Sequence, residues 1–419
     1  MLAEMPAFLR RNPAIACVAV LVLAACTPAR DNSAEETSAA PAADAAAPIA
    51  LEPLALPAAG QTTYPQLTTS PQGVILSWME NETTAPTLNF AERTGAGWSP
   101  ARTVAASDNW FLSSADVPTV MRMSDGTLVA TTYPAVDPAM EAYDLLLSYS
   151  RDDGKTWSRP ISPHHDGTKT QHGFASLYEM PGGALGLVWL DGRGKESMAL
   201  FHGAFDNAWK QTAESAIDDR ACECCQTAVA MTADGPLVAF RDRSPREIRD
   251  IYASLFTGGA WTQPRPVFVD NWRIEACPVN GPALSARERQ VAAAWFTVKD
   301  DNAQTYAAFS QDAGRTLGTP IRLDDGTALG HVDIEMLDDG SAVATWVEFA
   351  DERSQLRMRR IESSGARSAA VVVSDGTIGR VSGYPRIARH GSDLILAWTE
   401  SAGGEEGGQA VKGAIARMK

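Results

Sequence analysis

From residue 60 onward the chain alternates short apolar runs with polar turns, and the arrangement recurs with a period of about 50 to 57 residues. Each unit holds a strand-like run, a turn rich in Gly, Asp or Ser, and a second apolar run ending in an aromatic residue. The copies span residues 64–79, 117–134, 173–190, 225–241, 280–296, 332–347 and 384–399. Alternation over runs this short predicts antiparallel strands, and no segment past residue 60 has the periodicity of a helix of three turns. Outer hairpins follow, with turns at residues 94–98, 150–157, 206–209, 258–261, 310–317 and 363–367.

Seven units of four strands predict an all-β protein, a β-propeller of four-stranded blades, with six blades as the alternative count. The seventh unit runs out after a third strand at residues 410–418. Residues 48–57 (PIALEPLALP) stand before the first full unit, and are expected to close the ring as the missing outer strand of the last blade.

Two outer turns share a longer pattern. Ser150, Asp152, Gly154, Thr156 and Trp157 read S-x-D-x-G-x-T-W, and Ser310, Asp312, Gly314 and Thr316 repeat it without the aromatic. The physical content is a tight turn: the Asp accepts hydrogen bonds from turn N–H groups, the Gly takes a positive φ, and the Trp anchors the next strand. The pattern resembles the Asp box, or BNR repeat, of the sialidase (neuraminidase) superfamily of β-propellers. CECCQT, FRDRSPREIRDIY, CPVNGP and WLDGR are similar to segments of bacterial sialidase-like lipoproteins.

In such a propeller, the residues before each inner strand and after each second strand share one face. The Asp boxes lie on the other, as scaffold. The first set includes Asp116, His172, Asn280, His331, Asp333, Tyr384 and Arg386; the second includes Glu80, Asp191, Arg193, Arg241, Asp242, Arg243, Arg249, Asp250, Glu348 and Glu400. Polar groups at a funnel mouth are the expected binding site. The resemblance implies a Tyr nucleophile assisted by a Glu, with an Asp acid–base. Tyr384, Glu348 and Asp191 are the candidates, with Glu80, Glu400, Asp116 and Asp333 as alternatives. It also implies three arginines on a substrate carboxylate, for which Arg193, Arg241 and Arg386 stand first and Arg243 and Arg249 are alternatives. The family's Arg-Ile-Pro motif has no counterpart, since the first unit reads Tyr64-Pro65-Gln66.

Four cysteines precede the inner strands of neighbouring units: Cys222, Cys224, Cys225 and Cys277. In an oxidising compartment they are expected to form disulfides, with Cys224 or Cys225 joined to Cys277. The other readings are a Cu or Zn site completed by His331 or His172, and a reactive redox thiol. His164 and His165, a loop dipeptide, are expected to be solvated.

Composition narrows the class. The 419 residues are 45% hydrophobic and 21% charged, as suits a large core, and the net charge of −15 argues against nucleic acid as a partner. At the N-terminus, Arg10 and Arg11 precede an apolar run at residues 14–25 that ends Leu23-Ala24-Ala25-Cys26. This is similar to a bacterial lipobox, which implies Sec-type export, cleavage after residue 25 and lipidation of Cys26. Residues 1–25 are thus read as a signal peptide, 26–47 as a disordered Ala/Pro-rich tether, and 48–419 as the propeller. Thr27 after the Cys implies outer-membrane retention.

These readings together describe an envelope-anchored, sialidase-like lipoprotein that binds glycans ending in an acidic sugar. If it is active, exo-sialidase-like glycoside hydrolysis is the expected reaction. One alternative is a non-catalytic propeller binding a protein or glycan partner; another is metal handling by the cysteines. No cofactor is expected, and the chain is expected to be a monomer meeting the membrane through Cys26.

Overall fold

The second strand of each unit is apolar because it is covered on both faces. Val74–Glu80 and Leu185–Asp191 are buried along almost their whole length. Trp78, Trp189, Trp295 and Trp346, each on the second strand of its unit, are among the largest fully buried side chains. Truncating a buried Trp to Ala costs about 3–5 kcal/mol. Such strands need a neighbouring sheet on either side, and a ring of sheets stacked face to face supplies it.

The computed structural model describes residues 49–81, 85–137, 139, 141–194, 197–376, 384–401 and 408–418. The signal peptide, the tether and Cys26 lie outside them. The described residues form a seven-bladed β-propeller with no α-helix among them. The inner strands of blades 1 to 7 are Thr62–Thr69, Val120–Arg122, His172–Glu179, Ala228–Thr232, Ala283–Arg287, Thr327–Met336 and Arg386–His390. Each pairs antiparallel with the second strand of its blade.

The ring closes as the sequence predicts. Ile49–Pro53 pairs antiparallel with Gln409–Met418, Ile49 opposite Met418 and Pro53 opposite Ala414, as the outermost strand of blade 7. Two segments from opposite ends of the chain therefore complete one sheet. Blade 7 then packs on blade 1, where Ala397 and Val411 share a core with Leu76, Trp78 and Ala91.

Some outer strands fall short of the four-strand expectation. In blades 4 and 5 they are the two-residue Arg265–Pro266 and Ile321–Arg322, and in blade 2 only a bridge, Leu147 to Ile161, remains. Prolines at 160, 266 and 320 remove ladder donors there, which an outermost strand tolerates. Blade 2 also carries an extra hairpin, Ala135–Asp137 with Ala142–Tyr143.

Both Asp boxes form the turn read from the sequence. Ser150 Oγ donates to Asp152 Oδ1 at 2.8 Å and accepts from the Gly154 N–H at 2.8 Å; the Thr156 N–H and hydroxyl donate to Asp152 at 2.9 and 2.7 Å. Ser310, Asp312, Gly314 and Thr316 repeat every one of these bonds. Gly154 (φ 77°) lies against the Phe90 ring of blade 1, and Gly314 (φ 81°) against Leu237 of blade 4. The boxes are thus wedges between blades, tight enough that any Cβ would collide.

Candidate functional site

The face opposite the Asp boxes is built from bulges. In blades 1, 3 and 6 the inner strand slips register near its start, and one residue turns left-handed: Tyr64, Phe174 and His331, with φ of 55°, 54° and 52°. Each freed N–H is capped by a side chain of the preceding blade. Thr399 Oγ1 accepts from Tyr64 at 3.2 Å, Asp116 Oδ1 from Phe174 at 2.8 Å, and Asn280 Oδ1 from His331 at 2.8 Å. Asp116 and Asn280, candidate funnel groups, therefore latch blade to blade. Burial pushes Asp116 up to about 6, against bonds from Tyr143, Phe174 and Tyr133 that favour the carboxylate.

Tyr384 spans the mouth. Its hydroxyl donates to the Val279 carbonyl at 2.5 Å and accepts from the Gly281 N–H at 3.3 Å. Its ring stacks on His331, centroids 4.6 Å apart and planes 14° from parallel. One apolar cluster gathers Tyr384 with Ala115, Phe174, Cys224 and Val279, from blades 7, 2, 3, 4 and 5. Inside the ring lies a cavity of about 320 Å³, lined by inner-strand residues of all seven blades, including Gln66, Thr119, Ser176, Thr227, Asp333 and Arg386. Arg386 is the candidate arginine that reaches this cavity. Burial lowers its pKa and the Asp333 carboxylate opposes that, while its Nε finds no hydrogen-bond partner among the described residues.

The other candidate arginines do not converge with it. Arg241 is buried under blades 4 and 5, where it donates to the carbonyls of Asn280, Arg249 and Phe296 at 2.8, 2.6 and 2.7 Å and stacks on Trp272. It is a backbone clamp with no exposed edge. Arg193 is bound to Asp191 and Glu214 over the Phe201 ring. Arg243 and Arg249 share two carboxylates: both meet Glu247, and both meet Glu223 at 3.2 Å. Arg249 is buried, whereas the Arg243 side chain keeps 21% exposure.

The candidate acids carry structure instead. Asp191 Oδ2 accepts from the Trp189 indole at 2.8 Å and Glu348 Oε2 from the Trp346 indole at 2.6 Å. Glu400 does the same for Trp398 at 3.2 Å. Each acid stands two residues past its Trp, on the same face of the strand. Asp191 and Glu348 are fully buried, and each is committed to the indole of its own strand. Glu80 accepts from Asn89 at 2.9 Å.

The cysteines pair as Cys222–Cys225 and Cys224–Cys277, the second across blades 4 and 5. With all four of these sulfurs in disulfides, they offer no thiolate to a soft metal, and His331 stacks on Tyr384. Arg249 Nη1 also contacts Cys222 Sγ at 3.6 Å. The disulfides and the Arg243–Arg249 loop are thus one construction.

Beside them opens a pocket of about 200 Å³, walled by Phe111, Tyr143, Phe174, Cys224 and Val279 and edged by Ser113, Ser114, Gln171 and Glu223. Phe111 and Tyr143 stack at 3.9 Å, with the Tyr143 hydroxyl bonded to Asp116 at 2.7 Å. Sequence reasoning places none of Phe111, Tyr143, Gln171 and Glu223 in the site. The signal available was the long polar stretch between the first hairpin and the second unit, and the extra hairpin of blade 2.

The sequence matches no known protein-family profile and no curated protein. Among solved structures, polysaccharide lyase Uly1 is similar over 84% of this chain and 89% of its own, at 11% identity and a TM-score of 0.53. The endosialidase of phage phi92 is similar over 88% of this chain and 69% of its own, at 9% identity and a TM-score of 0.50. The likeness is one of fold. The propeller implied by the sequence is therefore shared architecture, and the chemistry rests on this chain's own residues.

Proposed function

We propose that this protein is an envelope lipoprotein that binds acidic glycans at the mouth pocket of its propeller, by recognition rather than hydrolysis. The observation that carries the reading is Arg243. Its partly exposed guanidinium is bonded to Glu223, which edges a pocket with an aromatic wall and a rim of hydroxyl, amide and carboxylate groups. Aromatic faces pack on sugar C–H surfaces, and a planar guanidinium takes a carboxylate in two parallel bonds. Arg249, buried behind the same Glu223 and Glu247, adds fixed positive charge. A sugar carboxylate would take the place of Glu223 on Arg243. Proteins of this fold named as a polysaccharide lyase and an endosialidase agree with a glycan ligand. The buried, committed state of Asp191, Glu348 and Arg241 supports binding without turnover.

Anchoring rests on the lipobox residues Leu23 to Cys26; Cys26→Ser should move the protein from the membrane to the soluble envelope fraction. The ligand is tested by titrating sialyllactose, an oligogalacturonide and a neutral maltooligosaccharide, with a fluorogenic sialoside as the turnover probe. Acidic ligands should bind, Arg243→Ala should weaken them by tenfold or more, and the sialoside should stay intact. Turnover would replace the reading with an enzymatic one, and equal binding of neutral and acidic sugars would remove Arg243 from it.

A further inference from the structure

Two histidines of blades 2 and 3 are stacked in a way that hydrogen bonding within the protein does not explain. His164, in the loop that leads into blade 3, lies flat on His172 at the start of the inner strand, with ring centroids 3.6 Å apart and planes 3° from parallel. His172 is wholly buried and His164 is 7% exposed. Among the described residues, His164 Nε2 and both ring nitrogens of His172 have no hydrogen-bond partner, although buried polar groups are nearly always satisfied.

The carboxylates around the pair divide by side. Asp166 Oδ1 faces His164 Nδ1 at 3.3 Å and His172 Nε2 at 3.2 Å. On the opposite edge, Asp144 Oδ1 lies 3.7 Å from both His164 Nε2 and His172 Nδ1. Asp166 Oδ1, itself without a hydrogen-bond partner among the described residues, stands beside one nitrogen of each ring and favours the proton there, which leaves the nitrogens nearer Asp144 as the acceptor pair. That is how metal-binding imidazoles are oriented by an outer carboxylate. Ligands about 2.0–2.2 Å from a tetrahedral ion stand roughly 3.3–3.6 Å from one another. Asp144 Oδ1 is 3.7 Å from each nitrogen, and because parallel stacked rings cannot both hold one ion in their planes, metal entry requires the two imidazoles to tilt out of the stack. Asp191, also 3.7 Å from His172, is already bonded to Arg193 and Trp189 and belongs to the far side.

We infer that His164 Nε2, His172 Nδ1 and Asp144 form a site for a divalent transition metal of the zinc class, with Asp166 as its orienting carboxylate. The Asp144 side chain is 33% exposed, which leaves the fourth position open to water or a ligand. The site borders the mouth pocket, since Tyr143 and Gln171, the chain neighbours of Asp144 and His172, both line it. It stands independently of the glycan reading, because its ligands come from the polar side of the loop and need no sugar.

The test uses the full-length protein, purified without a histidine tag, stripped with chelator and titrated with Co2+ as a spectroscopic probe and with Zn2+ by calorimetry. One equivalent should bind, with visible Co2+ bands of four-coordinate intensity. Asp166→Asn should weaken Zn2+ binding about 10–100-fold. His164→Gln and Asp144→Asn should abolish stoichiometric binding while the circular dichroism of the propeller persists. Absence of stoichiometric metal in the parent protein overturns the inference, as does binding that survives both of these variants. Should His164→Gln fail to fold, Asp144→Asn, at a partly exposed position, decides alone.

Discussion

Trp346 and Glu348, two residues apart on the second strand of blade 6, are joined by a bond of 2.6 Å from indole N–H to carboxylate. The carboxylate also meets Arg357 at 2.9 Å. The Asp325 N–H donates to it as well, at 3.3 Å, so this buried acid serves three donors at once. Glu348→Ala should therefore cost about 3–5 kcal/mol, as breaking a buried ion pair does. Glu348→Gln keeps an acceptor for the indole and should cost less. Urea unfolding measures both; glycan binding by the folded fraction should stay unchanged, and a specific loss of binding would return Glu348 to the site.

The Asp-box glycines offer a test of blade packing. A Cβ on Gly154 would lie 2.5 Å from the Phe90 ring, whereas one on Gly365 (φ 94°) meets nothing within 4 Å. Gly365→Ala thus suffers backbone strain alone, about 1 kcal/mol. Gly154→Ala adds overpacking between blades, a further 1–3 kcal/mol or so. Equal costs in chemical denaturation would show that the wedge is looser than it looks.

The two disulfides close loops of very different length, with sequence separations of 3 and 53. Loop-closure entropy then assigns about 2 kcal/mol to Cys222–Cys225 and about 4 kcal/mol to Cys224–Cys277. Replacing each pair by alanine and comparing the unfolding midpoints tests this order. A larger loss for the short loop would mean that its value lies in holding Arg249 and Glu223 in place.

Much of this architecture is legible in the chain because it is written locally. The alternating pairs, the Gly turns and the aromatic strand ends are short-range signals, and residues 48–57 betray the closure by being one strand too many where blade 7 has one too few. The second-strand acids mislead for a physical reason. Asp191, Glu348 and Glu400 leave a strand toward the functional face, but at two residues past a Trp they point to the same side as its indole. That spacing is readable and outweighs position. Arg241 is different: its three carbonyl partners are brought together only by tertiary structure, and no local pattern separates it from the partly exposed Arg243. His164 belongs with Arg241, since its partner His172 lies in another element and the loop dipeptide alone reads as solvated.

The central cavity makes stability depend on pH through Glu335. Its carboxyl is pushed up to about 8 from 4.5, first by burial and then by Asp333, with Arg389, Ser285 and Arg287 pulling the other way. The folded state thus holds this proton more tightly than the unfolded chain does. The stabilisation is fully present below pH 4.5 and is lost as pH rises toward about 8. Asp116, raised from 3.8 to about 6, adds to the loss in the lower part of that window. His202, lowered from 6.5 to about 4 by burial, acts in the opposite sense, since stability falls as pH drops through its range. The parent curve is therefore a mixture, and the informative quantity is its difference from Glu335→Gln, which removes one contributor. Between about pH 5 and pH 8.5 the parent should lose more stability to urea than the variant. The variant should therefore gain on the parent as the solution becomes alkaline. Parallel curves would mean that Glu335 ionises like a surface carboxylate, and that the cavity solvates charge far better than its lining suggests.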